Sequence, residues 1–339
     1  TAAVYNTTLF EWTARHLPPE YARAPVYADG LFLLRLSHLD PFFPARELRG
    51  TYEATMAGFG IRVGQQRNLS IETTAPKSSE HQATGTTAPQ LGSARASYYA
   101  LNPPEDVRLV HGNEGGASLF QNFFAAAGGA QIFAWVSRDL AARYPELVHS
   151  PDETTRAGFQ LLFGDLLADA AWLAGYRNVR PSSANEIARS FAFVELQRTR
   201  QACAHLQQQG ILAQAADPRD AQLAEGYANA LEEATSFRTH PSLYLRNLVS
   251  DGSPETRAGA RLQPAVYLRA RLFATALGEY FRTRYGHRWW AARRAADELI
   301  DLWNTGSRYT VEELASLAGL GELNFDLLAD TTEAALRGE

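Results

Sequence analysis

Two consecutive glycines, Gly128 and Gly129, stand in the middle of a stretch that every neighbouring residue marks as helix. The segment 107–135 reads VRLVHGNEGGASLFQNFFAAAGGAQIFAW: an alternating strand over Val107 to His111, a turn with Gly115 and Gly116, then a helix opened by Phe120, Phe123 and Phe124. Each glycine in a helix interior costs about 1 kcal/mol relative to alanine. Something other than helix propensity must therefore account for the pair, and any fold proposed for this chain has to accommodate it.

Around this segment the periodicity is mostly helical. Leu31 to Gly58 reads as helix broken at Asp40-Pro41 and Phe43-Pro44, where proline removes a backbone donor and turns the chain. Leu69, Ile71 and Thr73 alternate with polar neighbours, which gives a second strand. Between the strands, 74–104 is rich in Ser, Thr, Ala, Gly and Pro and reads as one long surface loop. Phe159 to Leu173 carries one broad apolar helical face, and Val266, Ala270, Phe273, Leu277 and Phe281 form another. Further helices are expected at Ala184 to Gln209, Ala216 to Ser236, Trp289 to Trp303 and Val311 to Leu317, the last opened by Thr310 with Glu313 three residues on. The expected class is mainly α with a small β-sheet (α+β). Residues 1–30 are read as an N-terminal helical remnant and 31–339 as one domain carrying the loop at 74–104.

The bulk properties narrow the function classes. A net charge of −5 argues against a general nucleic-acid binder. No apolar run is long enough to cross a bilayer, and Cys203 has no second cysteine to pair with. No basic segment followed by an apolar run marks the start, so the expected compartment is the cytoplasm. Of the 32 basic residues all but Lys77 are arginine, which reads as a coding bias rather than as phosphate recognition.

The octet Phe124-Ala125-Ala126-Ala127-Gly128-Gly129-Ala130-Gln131 resembles the F-H-E-A-G-H-A-Q helix of the oligopeptidase F and thimet oligopeptidase family of zinc metallopeptidases. A second segment, Arg156-Ala157-Gly158-Phe159, resembles the family's T-E-G-F; Pro264 to Ala270 is similar to its F-x-x-A-x-Y-L-R-A. Asp40-Pro41-Phe42-Phe43-Pro44, Trp289-Trp290 and Leu302-Trp303 extend the likeness from about residue 31 to the end. The resemblance implies a zincin-like helical metallopeptidase lobe without the family's large N-terminal lobe. It also implies that both histidine ligands have become Ala125 and Gly129, the general base Ala126, and the glutamate ligand Ala157. Two histidines at i and i+4 can share one zinc, with the glutamate between them taking a proton from bound water. Methyl groups and hydrogens supply neither lone pair nor base, so no catalytic residue and no zinc or other cofactor is expected. Tyr267 stands at the family's oxyanion-binding tyrosine; without a metal it reads as a cleft-lining or core residue.

Other chemistry remains open on the residues alone. His111 with Glu114 is a poor metal pair, and a satisfied rim histidine is the plainer reading. Ser78, Ser79, Glu80 and His81 lie together, but catalytic triads are assembled from separate elements. The expectation is a pseudopeptidase that binds a peptide or protein partner through the former cleft, with Val107 to His111 as an edge strand for peptide addition. Cleft candidates are Tyr98, Tyr99, His111, Glu114, Gly115, Gly116, Tyr267 and Arg269. Two alternatives stand beside it: metal-free chemistry in a cleft enlarged by the lost side chains, and a degenerate subunit whose missing lobe comes from another chain or a homo-oligomer. A scaffold with no ligand would instead fill that space with neighbouring side chains.

Overall fold

The computed structural model describes residues 2–74, 96–149, 153–244 and 254–338, so Lys77 and the Ser78 to His81 group lie outside the described residues. In chain order the elements are α1 (Ala2–His16), α2 (Pro19–Ala22), α3 (Tyr27–Leu34), α4 (Leu48–Gly58), β1 (Leu69–Thr73), β2 (Ser97–Asn102), β3 (Asp106–His111), α5 (Ala117–Trp135), α6 (Arg138–Arg143), α7 (Thr154–Gly164) and α8 (Ala170–Tyr176). They continue with α9 (Pro181–Gln214), α10 (Ala221–Thr235), α11 (Pro254–Tyr285), α12 (Arg293–Asn304), α13 (Val311–Leu317) and α14 (Phe325–Arg337). The class is mainly helical with a small sheet, as the periodicity implies. No helix among the described residues is long and apolar enough to cross a membrane.

The chain forms two compact units. One comprises Thr1–Arg35, Arg189–Leu272 and Asn324–Glu339; the other comprises Leu36–Ala188 and Phe273–Leu323. In the first, Tyr5 of α1 is fully buried, and its hydroxyl donates to the Thr235 carbonyl at 2.6 Å and also contacts the Gln197 side-chain amide. Trp12 lies 4.7 Å from Phe193, so α1 is held on α9 by aromatic contact. Further along, His205 of α9 stacks on Tyr227 of α10 at 5.7 Å, and its Nε2 is 3.1 Å from the Tyr227 hydroxyl.

The second unit carries the sheet, in the order β1-β3-β2. β3 runs parallel to β1, with Leu69 opposite Val107, and antiparallel to β2, with Tyr98 opposite Leu109. β3 is therefore the central strand and not an edge. The strand that displaces it from the edge, β2, lies inside the segment read as loop, because its Ser-Tyr-Tyr-Ala-Leu-Asn has no clean alternation of apolar and polar residues. Leu69, Val107, Leu109 and His111 bury the inner face against α5, where the His111 ring meets Phe123 edge-on at 5.2 Å.

The entry into α5 explains the first glycine pair. The Asp40–Pro44 turn lies directly against it: Gly116 N donates to the Phe43 carbonyl at 2.8 Å, and Ala117 N donates to Asp40 Oδ1 at 3.0 Å. Gly116 has φ +112°, and a Cβ there would sit 2.7 Å from that carboxylate oxygen. Asp40 thus caps a helix 77 residues away, adding negative charge where the first amides lack partners. Beyond the cap, Phe120 meets Phe43 at 5.1 Å, and Phe124 meets Tyr52 at 5.8 Å and Trp172 at 5.1 Å.

The second pair is explained by α7. A Cβ on Gly128 would lie 2.6 Å from the Phe159 carbonyl oxygen and 3.1 Å from Phe163 Cβ, so the two helices approach at backbone distance. Gly164 continues the contact, its missing Cβ 3.6 Å from Ala125 Cβ. The apolar run from Phe159 to Leu173 is correspondingly not one helix. α7 ends at Gly164, a 3-10 turn spans Asp165–Ala168, and Asp169 restarts the chain as α8 by accepting from Trp172 N at 2.9 Å. By contrast, Gly210 on α9 is exposed with nothing within 4 Å of where its Cβ would be. Gly210→Ala should therefore stabilise the protein by up to about 1 kcal/mol. Gly128→Ala should destabilise it by about 1–3 kcal/mol despite the same gain in propensity. Urea denaturation of the two variants tests the opposite signs.

Candidate functional site

The four positions at which the resemblance would place zinc ligands and a general base, Ala125, Ala126, Gly129 and Ala157, lie on the packed pair α5 and α7. Ala126 is buried, Ala125 and Ala157 are half-buried, and Gly129 is buried beneath Tyr98 of β2. A Cβ on Gly129 would stand 2.5 Å from Tyr98 Cε1 and 3.0 Å from Gln160 Nε2. That amide donates to the Tyr98 hydroxyl at 2.9 Å, and the ring also leans on Phe133 at 5.9 Å. The space beside Gly129, expected to be open after loss of a long side chain, is filled by a tyrosine and a glutamine. Burial pushes the Tyr98 hydroxyl above its ordinary value, with the nearby Arg156 charge opposing, so it stays protonated and offers no base at neutral pH.

No lone pair from Ala125, Ala126, Gly129 or Ala157 is available to a cation, so these residues do not fit a zinc ion. Among the described residues no group of three His, Cys, Asp or Glu side chains is placed to hold a metal. Two residues beyond Gly129, Gln131 is fully buried and saturated. Its Nε2 donates to the Tyr52 hydroxyl at 2.8 Å and to Gln66 Oε1 at 3.1 Å; its Oε1 accepts from Gln66 Nε2 and from Trp135 Nε1, both at 2.9 Å.

The remaining candidates of this unit do not converge on one point. His111 is buried and satisfied: Nδ1 donates to the Gly112 carbonyl at 2.6 Å, leaving Nε2 to face Thr73 Oγ1 at 3.3 Å. Glu114 is exposed and folds back on Gly112, where a Cβ would meet its Oε2 at 2.3 Å. Gly115 lies against the backbone of Phe43 and Ala45, and Gly116 against Asp40, so both serve the docked turn. Tyr99 points to the outer face of the sheet and is 53% exposed.

Tyr267 and Arg269 belong to the other unit. There Tyr267 joins a buried ionic cluster that the sequence reading missed. Its hydroxyl donates to Glu195 Oε2 at 3.3 Å and lies 3.4 Å from Thr199 Oγ1. Arg271 donates to the same carboxylate oxygen at 2.8 Å, and Arg198 pairs with the other one. Burial would push the Glu195 carboxyl up, but the charges of Arg198 and Arg271 and the hydrogen bonds from Arg198 and Tyr267 outweigh it and hold the carboxyl below its usual range. Burial, with the Glu195 charge beside it, pushes Tyr267 up to about 12. The available signal was a single carboxylate at 195 inside the apolar run Phe191 to Leu196, with an arginine three residues on.

The chain matches no protein-family model, no curated protein and no solved structure.

Two outcomes follow from this geometry. Gly129→His should destabilise the protein by about 1–3 kcal/mol or more, because the Tyr98 ring occupies the space, and adding Tyr98→Ala should recover part of the loss in the same urea titration. The second concerns pH. Burial holds His205 below its ordinary value, so its contribution is complete above about 6.5, the unfolded value, and declines as pH falls below it. Glu195, also depressed, contributes fully above about 4.3 and loses that contribution as pH falls through its folded value. Stability measured by urea midpoint should fall in two acid steps, and Glu195→Gln should flatten the lower one. Glu195→Ala should cost about 3–5 kcal/mol at neutral pH by removing the buried carboxylate that Arg271 and Arg198 both bind.

Proposed function

We propose that this chain is a non-catalytic, metallopeptidase-like protein that binds a peptide or protein partner. The observation that carries the non-catalytic half of the reading is the filled space at Gly129: the position that would bear a histidine ligand is covered by Tyr98 and Gln160, and its neighbours offer no donor. Filling is what a binding or scaffold role tolerates and what metal-assisted hydrolysis does not, since the latter needs an open coordination position beside the scissile bond.

The partner's place of entry is the outer edge of β2, not β3. Among the described residues β2 is the last strand on its side of the sheet. Its alternation turns Tyr99 outward while Tyr98 faces α5, and Leu101, at the irregularity between Ala100 and Asn102, is exposed as well, the two being 53% and 57% exposed. An extended segment can add there through main-chain hydrogen bonds, with alternate side chains resting on Tyr99 and Leu101.

The test has two arms. Incubation with a mixture of internally quenched peptides, with and without chelator and added zinc, should show no chelator-sensitive cleavage. Panning a displayed random-peptide library against the purified protein should enrich sequences whose binding falls about tenfold or more in Tyr99→Ser/Leu101→Lys, the magnitude expected when an interface anchor is lost. Cleavage that chelation abolishes and zinc restores overturns the non-catalytic reading. Enriched peptides that bind the double variant unchanged overturn the β2 edge as the docking site.

A further inference from the structure

The chain is acidic, with a net charge of −5, yet one concave region of the second unit gathers cations. A pocket of about 500 Å³ is lined by Arg46, Arg177, Arg180, Glu47 and Ser183 among others. Three guanidinium groups against one carboxylate leave an excess of two positive charges. The carboxylate is already engaged: Glu47 Oε2 accepts from Arg177 at 2.9 Å, and Oε1 lies 3.7 Å from Arg46 Nε.

Arg177 is the fixed element. Its side chain is 2% exposed, and its guanidinium lies over the rings of Phe120 and Phe43 at 5.0 and 5.6 Å. Nη1 donates to Thr51 Oγ1 at 2.8 Å and Nη2 to the Phe42 carbonyl at 2.7 Å, while the buried Nε has no acceptor among the described residues. Glu47 offsets the charge of this buried guanidinium, so the excess of two positive charges at the pocket comes from Arg46 and Arg180, which stand at exposed, adaptable positions. The start of α9 adds more. This 34-residue helix begins at Pro181 with no acidic residue in its first turn, and Ser183 of that turn lines the pocket. A helix start of this kind, with its first amides lacking intrahelical partners and the positive end of the dipole, favours an anion over a neutral group.

The geometry points to a phosphate-binding site, taking a phosphoryl dianion between Arg46, Arg180 and the first turn of α9 above buried Arg177. A dianion matches the excess of two charges, and arginine forks pair with phosphate oxygens through two parallel hydrogen bonds. The pocket is too local, and the chain too acidic, to favour an extended nucleic-acid backbone. Two sources share this chemistry: a free phosphate, or a phosphorylated side chain of another protein.

Isothermal titration at constant ionic strength separates them, using sodium phosphate in one arm and a phosphoserine peptide with its unphosphorylated twin in the other. Saturable binding of inorganic phosphate assigns the site to free phosphate; binding of the phosphopeptide alone assigns it to a protein-borne group. In either case Arg46→Ala/Arg180→Ala should weaken binding about tenfold or more. Both side chains are exposed, so the variant should keep its far-ultraviolet circular dichroism and melting temperature. The proposal is overturned if neither probe saturates below about 10 mM, weaker than a specific two-arginine site should give. It is equally overturned if the double variant binds as the parent does.

Discussion

The close approach of α5 and α7 is the constraint on which the second unit depends. At Gly128 the helix backbone meets the Phe159 carbonyl at a distance no Cβ could tolerate, and this contact sets how far α7 stands from the sheet side of α5. The two glycines weaken the isolated helix by about 2 kcal/mol together. Burial of Phe120, Phe123 and Phe124, each fully enclosed, offsets this at about 1.5–3 kcal/mol apiece. Propensity therefore loses to packing here, as it does wherever a helix is defined by the face it buries. Once α5 is fixed, the sheet has only one place to rest its apolar side, and His111, Leu109 and Tyr98 take their positions from it.

The buried polar groups around α5 and those around Glu195 differ chemically. Around Gly129 and Gln131 of α5 they are neutral: Gln131, Gln66 and Tyr52 satisfy one another, as do Tyr98 and Gln160, and burial pushes both tyrosines up so that they remain hydroxyls. In the other unit the buried polar cluster is ionic, with Glu195 between Arg198 and Arg271. A neutral, saturated network gives specificity of packing without any group poised to move a proton near neutral pH. An ionic cluster brings a liability to acid instead, because its stabilisation depends on a carboxylate staying charged.

What was legible in the sequence was whatever depended on local periodicity. The capping box at Thr310 and Glu313, the breaks around Pro41 and Pro44, and the strand-turn-helix from Val107 to Trp135 all follow from neighbours within a few residues. What was not legible depended on partners far along the chain. The strand β2 escapes notice because Tyr98 and Tyr99 are both aromatic and only the register with β3 decides which one turns inward. The helix break at Asp169 escapes because the apolar spacing continues across it; the carboxylate that restarts the chain also binds the Trp290 indole 121 residues away. The reason for Gly128 and Gly129 required knowing that Phe159 and Tyr98 approach them, although the anomaly itself was visible at once.

The alternation of β2 ties the closed position to the open face. Because successive strand residues point to opposite sides, placing Tyr98 over Gly129 necessarily turns Tyr99 outward, and Leu101, at the irregularity between Ala100 and Asn102, is exposed beside it. A one-residue slip of the register would reverse both tyrosines, withdrawing the ring from α5 and burying Tyr99 in its place. In the reading proposed for this chain, loss of the metal ligands and presentation of an exposed strand edge are then two sides of one structural arrangement. Gly129 admits the inward tyrosine only because it has no side chain, and the inward tyrosine fixes the register that puts the exposed pair where a partner can meet it.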